Sequence, residues 1–446
     1  MMSKTQKFTS FSLFAASIAA IGGILFGYNT SVISGVILFL SKQFNLSTFQ
    51  QEMVISIVLI GALIGACFGG FLTDKIGRKK TLFITSILFL IGIFITVIAK
   101  TVFVLMTGRI IVGLAIGIVS MATPLYIAEM SDPNHRGALV SLNQLAVTIG
   151  ILLGYLIDYL YSNDAEWRVM FGFALIPTIM LLLGLFFIPE TPSYLASIGK
   201  KQKAIKILDK ISLKHSKSEV ELERHTEKES SWKMLFDKTI RPAFIAGIGI
   251  SIFQQITGIN IVIYYAPKIF QLAGFESAAT AILATIGVGT INVLMTVVAL
   301  WLIDKLGRKP LLRIGLIGMI ASLSLLGIAF MFATKIVHVI SIVSLMAYVA
   351  FFAISLGPIA WLIISEIYPM GVRGRAMGIA TFTNWSANYI ISLTFLTLID
   401  LFGVSYTFFF YAGIGLLALW FISKKIPETK GKELEEIQQY WHNKSK

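Results

Sequence analysis

Thiol and metal chemistry is poorly represented in this sequence. Its single cysteine, Cys67, excludes an internal disulfide and a thiol cluster for a metal. The five histidines do not stand at the spacing of metal ligands. The pattern also contains no Ser-His-Asp set and no phosphate-binding loop. The sequence therefore predicts no enzymatic activity, no metal and no cofactor.

Charged residues are scarce as well. Only 13% of the 446 residues are charged, whereas 56% are hydrophobic, and the mean hydropathy is +0.82. A soluble domain of this length could not bury so much apolar surface. The net charge of +14 is spread over short loops and is not pooled on one basic domain, so we predict no nucleic-acid partner.

Long apolar runs are what the sequence has in abundance. Runs of about 20 residues recur, which is the length of a helix that crosses a bilayer. They lack the alternation of a β-barrel strand, so we predict an all-α membrane protein with twelve transmembrane helices. The first six lie near 12–35, 54–72, 82–99, 103–127, 138–157 and 168–188. The second six lie near 243–265, 279–303, 311–332, 336–364, 376–399 and 406–423.

These spans divide the chain into an N-terminal six-helix bundle at 1–188, a C-terminal six-helix bundle at 242–426 and a tail at 427–446. The polar stretch between the bundles, 189–241, mixes lysine with glutamate. Apolar residues recur at helical spacing over Ile205–Ile211, which predicts short amphipathic helices in this linker. A disordered linker is the alternative.

Positive charge is distributed unevenly across the predicted membrane. Most of the 37 lysines and arginines lie in loops on the side of both termini. The exceptions are Lys42, Lys100, Arg109, Arg168, Lys268 and Lys335. The positive-inside rule therefore predicts that both termini are cytoplasmic. We expect a multi-pass protein of the plasma membrane, and the Lys- and Ile-rich composition is typical of a bacterial cytoplasmic membrane.

The two halves repeat each other. The string Asp-Lys-x-Gly-Arg-Lys occurs at 74–79 and again at 304–309, an offset of 230 (304 − 74). The string Pro-Glu-Thr follows each half at 189–191 and 427–429, an offset of 238 (427 − 189). This near-constant offset indicates two bundles of one plan, with a substrate site between them near the midplane of the membrane.

Both halves also carry acidic and basic residues at the ends of their spans on the terminal side. A carboxylate there can pair with a guanidinium from a neighbouring span. We predict a cytoplasmic gate formed by Asp74, Arg78, Glu129, Arg136, Asp304, Arg308, Glu366 and Arg373. The alternative is that these charges only follow the positive-inside rule, although that rule accounts for the basic residues alone.

Several of these motifs resemble the sugar porter branch of the major facilitator superfamily, and the resemblance covers essentially the whole chain. They include Gly-Gly-Ile-Leu-Phe-Gly-Tyr-Asn at 22–29, Gln-Gln-x-x-Gly-x-Asn-x-x-x-Tyr-Tyr at 254–265 and the Pro-Glu-Thr pair. The resemblance implies two six-helix bundles with inverted repeats and transport of a monosaccharide, a hexose or pentose such as glucose or xylose. The expected partners are the sugar and the lipid bilayer, and we expect a monomer.

Amides and indoles inside the apolar runs are the candidate sugar ligands. Polar residues within lipid are costly and are usually kept for function, and a neutral polyol needs amide partners and aromatic faces. Sugar porters line their site from the positions held here by Gln144, Gln254, Gln255, Asn260, Asn292, Trp361, Asn384 and Trp385. The alternatives are amides that join helices and, for Trp361, anchoring at the membrane interface. Gly357-Pro358 nearby predicts a kink.

The position of proton coupling is altered. Proton-coupled members of the family carry aspartate where this chain has Asn29, close to the arginine that is here Arg109. Asparagine does not titrate, and the acidic residues Glu52, Asp158 and Asp400 are predicted at or beyond span ends. The sequence thus favours a uniporter, as in the animal facilitative glucose transporters. A sugar–proton symporter, a sugar sensor on a transporter fold and a drug exporter are the alternatives.

Overall fold

The computed structural model describes residues 9–132, 136–211, 237, 240–332, 336–368, 370–431, 436 and 440–441. Twelve helices in it are long and apolar enough to span a membrane. They are Ser10–Gln43, Thr48–Ile76, Arg78–Val97, Val102–Glu129, Arg136–Leu160, Trp167–Phe187, Arg241–Leu272, Ala278–Ile303, Arg308–Met331, Val337–Ile364, Gly374–Phe402 and Val404–Lys425, called spans 1 to 12 below. The twelve predicted spans are confirmed.

Twelve crossings return the chain to the side on which it starts, which we call the terminal face; the opposite side is the far face. The spans run beyond their predicted ends at several places. Span 1 continues to Gln43 as a second helix, Ile33–Gln43, and span 7 continues to Leu272. Both extensions lie on the far face. They contain polar residues such as Lys42, so a prediction from runs of apolar residues ends the helix too early.

Local sequence explains where the helices start. Ser47 begins span 2 with a capping box, in which its hydroxyl accepts from the Gln50 N–H at 3.3 Å and the Gln50 side chain accepts from the Ser47 N–H at 3.0 Å. On the terminal face, Gly77 and Gly307 adopt φ of 98° and 91°, a region that favours glycine. These glycines permit the tight turns between spans 2 and 3 and between spans 8 and 9.

Two spans are interrupted in the C-terminal half. Span 7 consists of Arg241–Ile256 and Ile259–Leu272, joined through Gly258 in the left-handed region with φ 102°. Span 10 breaks between Ala353 and Leu356. Pro358 lacks the N–H that the Ile354 carbonyl would accept in a regular helix, which places the predicted kink one turn before the proline.

The linker begins with helices Pro192–Ser197 and Lys201–Ile211. Ala204 and Ile211 are buried, and the Lys210 ammonium lies 5.5 Å from the centre of the Phe11 ring of span 1. The described part of the linker therefore lies against the terminal face. Residues 212–236 lie outside the described residues.

Candidate sugar-binding site

Four amides from spans 7 and 11 form one hydrogen-bonded cluster, which we call the amide cluster: Gln254, Gln255, Asn260 and Asn384. Asn384 Nδ2 donates to Gln254 Oε1 at 2.7 Å, and Gln255 Nε2 donates to Asn384 Oδ1 at 3.0 Å. Asn260 Nδ2 donates to Gln255 Oε1 at 2.5 Å across the break in span 7. The structure thus brings together half of the eight predicted sugar ligands.

The cluster is also tied to the break in span 10. Gln254 Nε2 donates to the carbonyls of Leu356 and Gly357 at 3.0 and 3.2 Å. Gln254, Gln255 and Asn384 are buried, whereas Asn260 is half-buried. Amides that are both donors and acceptors suit a ligand whose hydroxyls are also both, and the half-buried Asn260 is the member best placed to meet one.

The two predicted indoles lie on spans 11 and 10. Trp385 follows Asn384 on span 11, and its ring centre lies 5.6 Å from that of Phe26 on span 1, so this pair joins the two halves. Trp361 is half-buried on span 10 and packs against the core. Indole faces can cover the C–H surface of a sugar.

The remaining predicted ligands lie apart from the cluster. Gln144 is half-buried on span 5 and Asn292 is buried on span 8. Within the described part of the chain, no hydrogen bond joins either side chain to the amide cluster. Sequence reasoning missed Asn388, whose Nδ2 donates to the Tyr264 hydroxyl at 3.3 Å. Its spacing of four from Asn384 on one helix was the signal that could have found it.

The predicted coupling position brings Asn29 and Arg109 into contact, but not through the asparagine side chain. Arg109 is 1% exposed, and its Nη1 donates to the Asn29 carbonyl at 3.1 Å. The Asn29 side chain donates instead to the Leu25 carbonyl at 2.9 Å. Arg109 Nε and Nη2 have no hydrogen-bond partner among the described residues, although the guanidinium lies 5.4 Å from the centre of the Phe171 ring. The buried cation therefore lacks a carboxylate.

Two arginines of the predicted gate, Arg78 and Arg308, each pair with acidic residues of their own half. Arg78 contacts Glu129 at 2.9 Å and Asp74 at 3.4 Å, and Arg308 contacts Glu366 at 3.0 Å. Arg136 is exposed at the start of span 5. The side chains of Asp304 and Arg373 lie outside the described residues. The ion pairs of Arg78 and Arg308 thus stay within a half, and a gate that joins the halves stays a prediction.

The two repeated motifs prove to be parts of one structural unit. Glu190 accepts from the backbone N–H groups of Arg78 and Lys79, each at 3.0 Å. Glu428 accepts in the same way from Arg308 and Lys309 at 3.0 and 2.9 Å. Each carboxylate thus caps the N-terminus of the helix that follows the glycine turn. Sequence analysis noted both motifs without predicting this contact.

These donors also set the ionisation of Glu428. Burial on its own raises the pKa of this carboxyl, but backbone N–H groups of Lys430, Arg308, Lys309 and Thr429 outweigh burial and hold the pKa below its usual range. Glu428 is therefore anionic wherever the cap is formed.

On the far face, the halves contact each other directly. The Tyr155 hydroxyl of span 5 donates to the Ile263 carbonyl of span 7 at 2.9 Å. Glu52 of span 2 accepts from Thr397 of span 11. Glu52 and Asp158 lie near the far-face ends of spans 2 and 5, and each is 0% exposed. Sequence analysis did not predict this burial. The two halves are therefore hydrogen-bonded to each other on the far face.

Comparison with known proteins decides the family. The family model described as sugar (and other) transporter matches residues 15–441. This chain belongs to the sugar porter family of the major facilitator superfamily. It is a transporter and not an enzyme, as predicted, and it is a multi-pass membrane protein.

Relatives of this sugar porter are bacterial. A D-xylose transporter of Levilactobacillus brevis is 41% identical, covering 94% of this chain and 93% of its own length. The glucose transporter GlcP of Staphylococcus epidermidis is 40% identical, covering 98% and 97%. XylE comes from E. coli. Its structure as a proton:xylose symporter bound to 6-bromo-6-deoxy-D-glucose matches with a TM-score of 0.81 at 35% identity, covering 98% of this chain and all of that one.

Proposed function

We propose that this sugar porter carries a monosaccharide, a hexose or pentose such as glucose or xylose, across the membrane by alternating access. The observation that carries the proposal is the amide cluster, in which Gln255 links Asn260 to Asn384 beside the Trp385 indole. The names of the xylose and glucose transporters related to this chain support the same substrate class. Gln144, Asn292 and Trp361 complete the proposed site from neighbouring spans.

The proposed cycle is facilitated diffusion. A proton-driven cycle needs a titratable group that binds the proton in one conformation and releases it in the other. Asn29 cannot do this, and the guanidinium of Arg109 beside it stays charged. Transport without coupling would bring the sugar to equal concentrations on both sides.

Proton symport is the second candidate, and two observations favour it. XylE is a proton:xylose symporter. Asp158, on span 5, is fully buried, and of its two oxygens only Oδ2 has a hydrogen-bond partner in the described part of the chain, the Gly35 N–H at 3.1 Å. A buried carboxyl without a cation is a group that could carry a proton in place of residue 29.

Uptake of labelled glucose and xylose into proteoliposomes, with and without an imposed pH gradient, separates the two. Facilitated diffusion predicts an inside-to-outside ratio of one under both conditions. Proton-driven accumulation would overturn uniport. No uptake of any monosaccharide, in protein that remains folded, would overturn sugar transport itself.

Orientation and gating complete the proposal. The terminal face is cytoplasmic in a bacterial cytoplasmic membrane, because it carries most of the basic residues. The gate charges would then join the two halves when the far face opens and pair within each half, as Arg78 and Arg308 do here, when it is closed. The proposed unit is a monomer that needs no nucleic acid.

A further inference from the structure

A buried carboxylate on the far face belongs neither to the sugar site nor to the gate motifs. Glu52 lies one turn into span 2 and is 0% exposed. Its Oε1 accepts from the Thr397 N–H at 2.8 Å, and its Oε2 accepts from the Thr397 hydroxyl at 2.7 Å. Both oxygens are therefore occupied, and in the described part of the chain no lysine or arginine pairs with them.

These hydrogen bonds cross from one half to the other. Glu52 belongs to span 2 in the N-terminal half, and Thr397 belongs to span 11 in the C-terminal half. Near the same end of span 11, the Ser392 carbonyl accepts from the Tyr265 hydroxyl of span 7 at 2.6 Å. Groups from outside span 11 thus hold it at Ser392 and at Thr397.

The contact lies on the far face. The Tyr155 hydroxyl also bonds across the halves, and it too lies on the far-face side of the amide cluster. The ion pairs of Arg78 and Arg308 on the terminal face stay within a half. Separating the halves at the far face must break the Glu52 contact, whereas separating them at the terminal face need not.

We infer that the Glu52 carboxylate, bound to Thr397, selectively stabilises the conformation in which the far face is closed. We call this contact the latch. Bonds from N–H and O–H donors to a carboxylate are stronger than neutral ones, and here they are screened from water. When the far face opens, water replaces the Thr397 donors. This inference rests on the proposed alternating-access cycle.

Hydrogen–deuterium exchange of the purified transporter in lipid tests the latch with Glu52→Gln. Glutamine keeps the size of the side chain and removes the charge. We expect faster exchange on the far face, in 33–47 and 388–402, together with slower exchange on the terminal face, in 66–80 and 366–380. The conformational ratio should shift on the order of tenfold, as expected for the loss of one charge-assisted hydrogen bond. Faster exchange on both faces, or no change, would overturn the latch.

Two further variants make the test selective. Thr397→Val keeps the shape of Thr397 but removes its hydroxyl donor, so exchange should again become faster on the far face and slower on the terminal face. The double variant should change exchange by less than the sum of the two single variants. Asp400→Asn removes an equal charge from an exposed position at the same end of span 11 but leaves the Glu52 hydrogen bonds in place, so it should not speed exchange on the far face. A shift as large in Asp400→Asn would overturn the assignment to Glu52.

Sugar uptake is measured on the same samples. If the wild-type protein carries no monosaccharide, the proposed function fails, while the opposed exchange pattern still tests the latch. If uptake is normal and the opposed pattern is missing, the latch fails and the proposed function stands.

Discussion

Asn29→Asp adds a carboxylate beside a buried guanidinium that has none. Arg109 is 1% exposed and bonds only to the Asn29 carbonyl, at 3.1 Å, while its Nε and Nη2 lack partners in the described part of the chain. An aspartate at this position has the guanidinium within reach of its side chain. We expect it to pair with Arg109 when ionised and to bind a proton when the pair opens.

The size of the effect follows from the energy in the gradient. One pH unit is worth about 1.4 kcal/mol for each proton moved. With one proton per sugar, Asn29→Asp should concentrate sugar about tenfold for each unit of pH gradient. The wild-type protein should reach equal concentrations inside and outside, because its residue 29 cannot exchange a proton.

This ratio is measured in proteoliposomes that are loaded with buffer and exposed to labelled sugar at a lower external pH. A protonophore added afterwards dissipates the pH gradient. Asn143→Asp is a matched control, because it places the same charge on span 5 beside Gly23 and not beside Asn29. The reasoning is refuted if the wild type accumulates sugar under the gradient, or if Asn29→Asp transports sugar but never exceeds a ratio of one.

Three further predictions concern the site, the break in span 7 and the cap of span 9. Gln255→Ala leaves the buried Asn384 Oδ1 without its donor and should raise the KM for sugar about 10- to 100-fold, as expected for about 1–3 kcal/mol; uptake kinetics with an unchanged KM would contradict this. Gly258→Ala forces a side chain into the left-handed region at φ 102° and should cost about 1–2 kcal/mol of stability, seen as a lower Tm in detergent. Glu428→Gln should abolish the acid sensitivity of stability that comes from this cap. The pKa of Glu428 lies below its ordinary value, so the ionised cap stabilises the wild type above about pH 4.3. This stabilisation is lost as the pH falls through the folded-state pKa. Thermal melts from pH 3 to pH 7 would show a wild-type Tm that converges on that of the variant in acid, and parallel curves would contradict the prediction.

The twelve spans could be predicted because a helix in lipid must form all its backbone hydrogen bonds internally and can carry few charged side chains. The same logic found the amide cluster, since amides stand out in an apolar run, and three of its members lie within seven residues of span 7. What the spans could not reveal is which amides bond to which. The Gln255–Asn384 contact joins residues that are 129 apart, and the Asn260–Gln255 bond crosses the break at Gly258.

Contacts between the halves were harder to predict for a different reason. Glu52 looks like an ordinary interfacial acid because it stands near a span end, and only the packing of span 11 against span 2 buries it. One of its two partners is a backbone N–H, which every residue except proline possesses and which no sequence pattern distinguishes. The gate charges pose the converse problem: in the proposed cycle their pairing changes with the conformation, so one sequence is compatible with pairs inside a half and pairs between halves.

The glutamate caps have a practical consequence for anyone who engineers this protein. Glu428 lies beyond the last span, yet it completes the first turn of span 9, and the Lys430 ammonium reaches back to the Lys305 carbonyl at 2.9 Å. The start of the tail is thus part of the C-terminal bundle. Fluorescent or affinity fusions should be joined after Trp441, which is buried against the core, because trimming the tail at the end of span 12 would leave the N-terminus of span 9 uncapped.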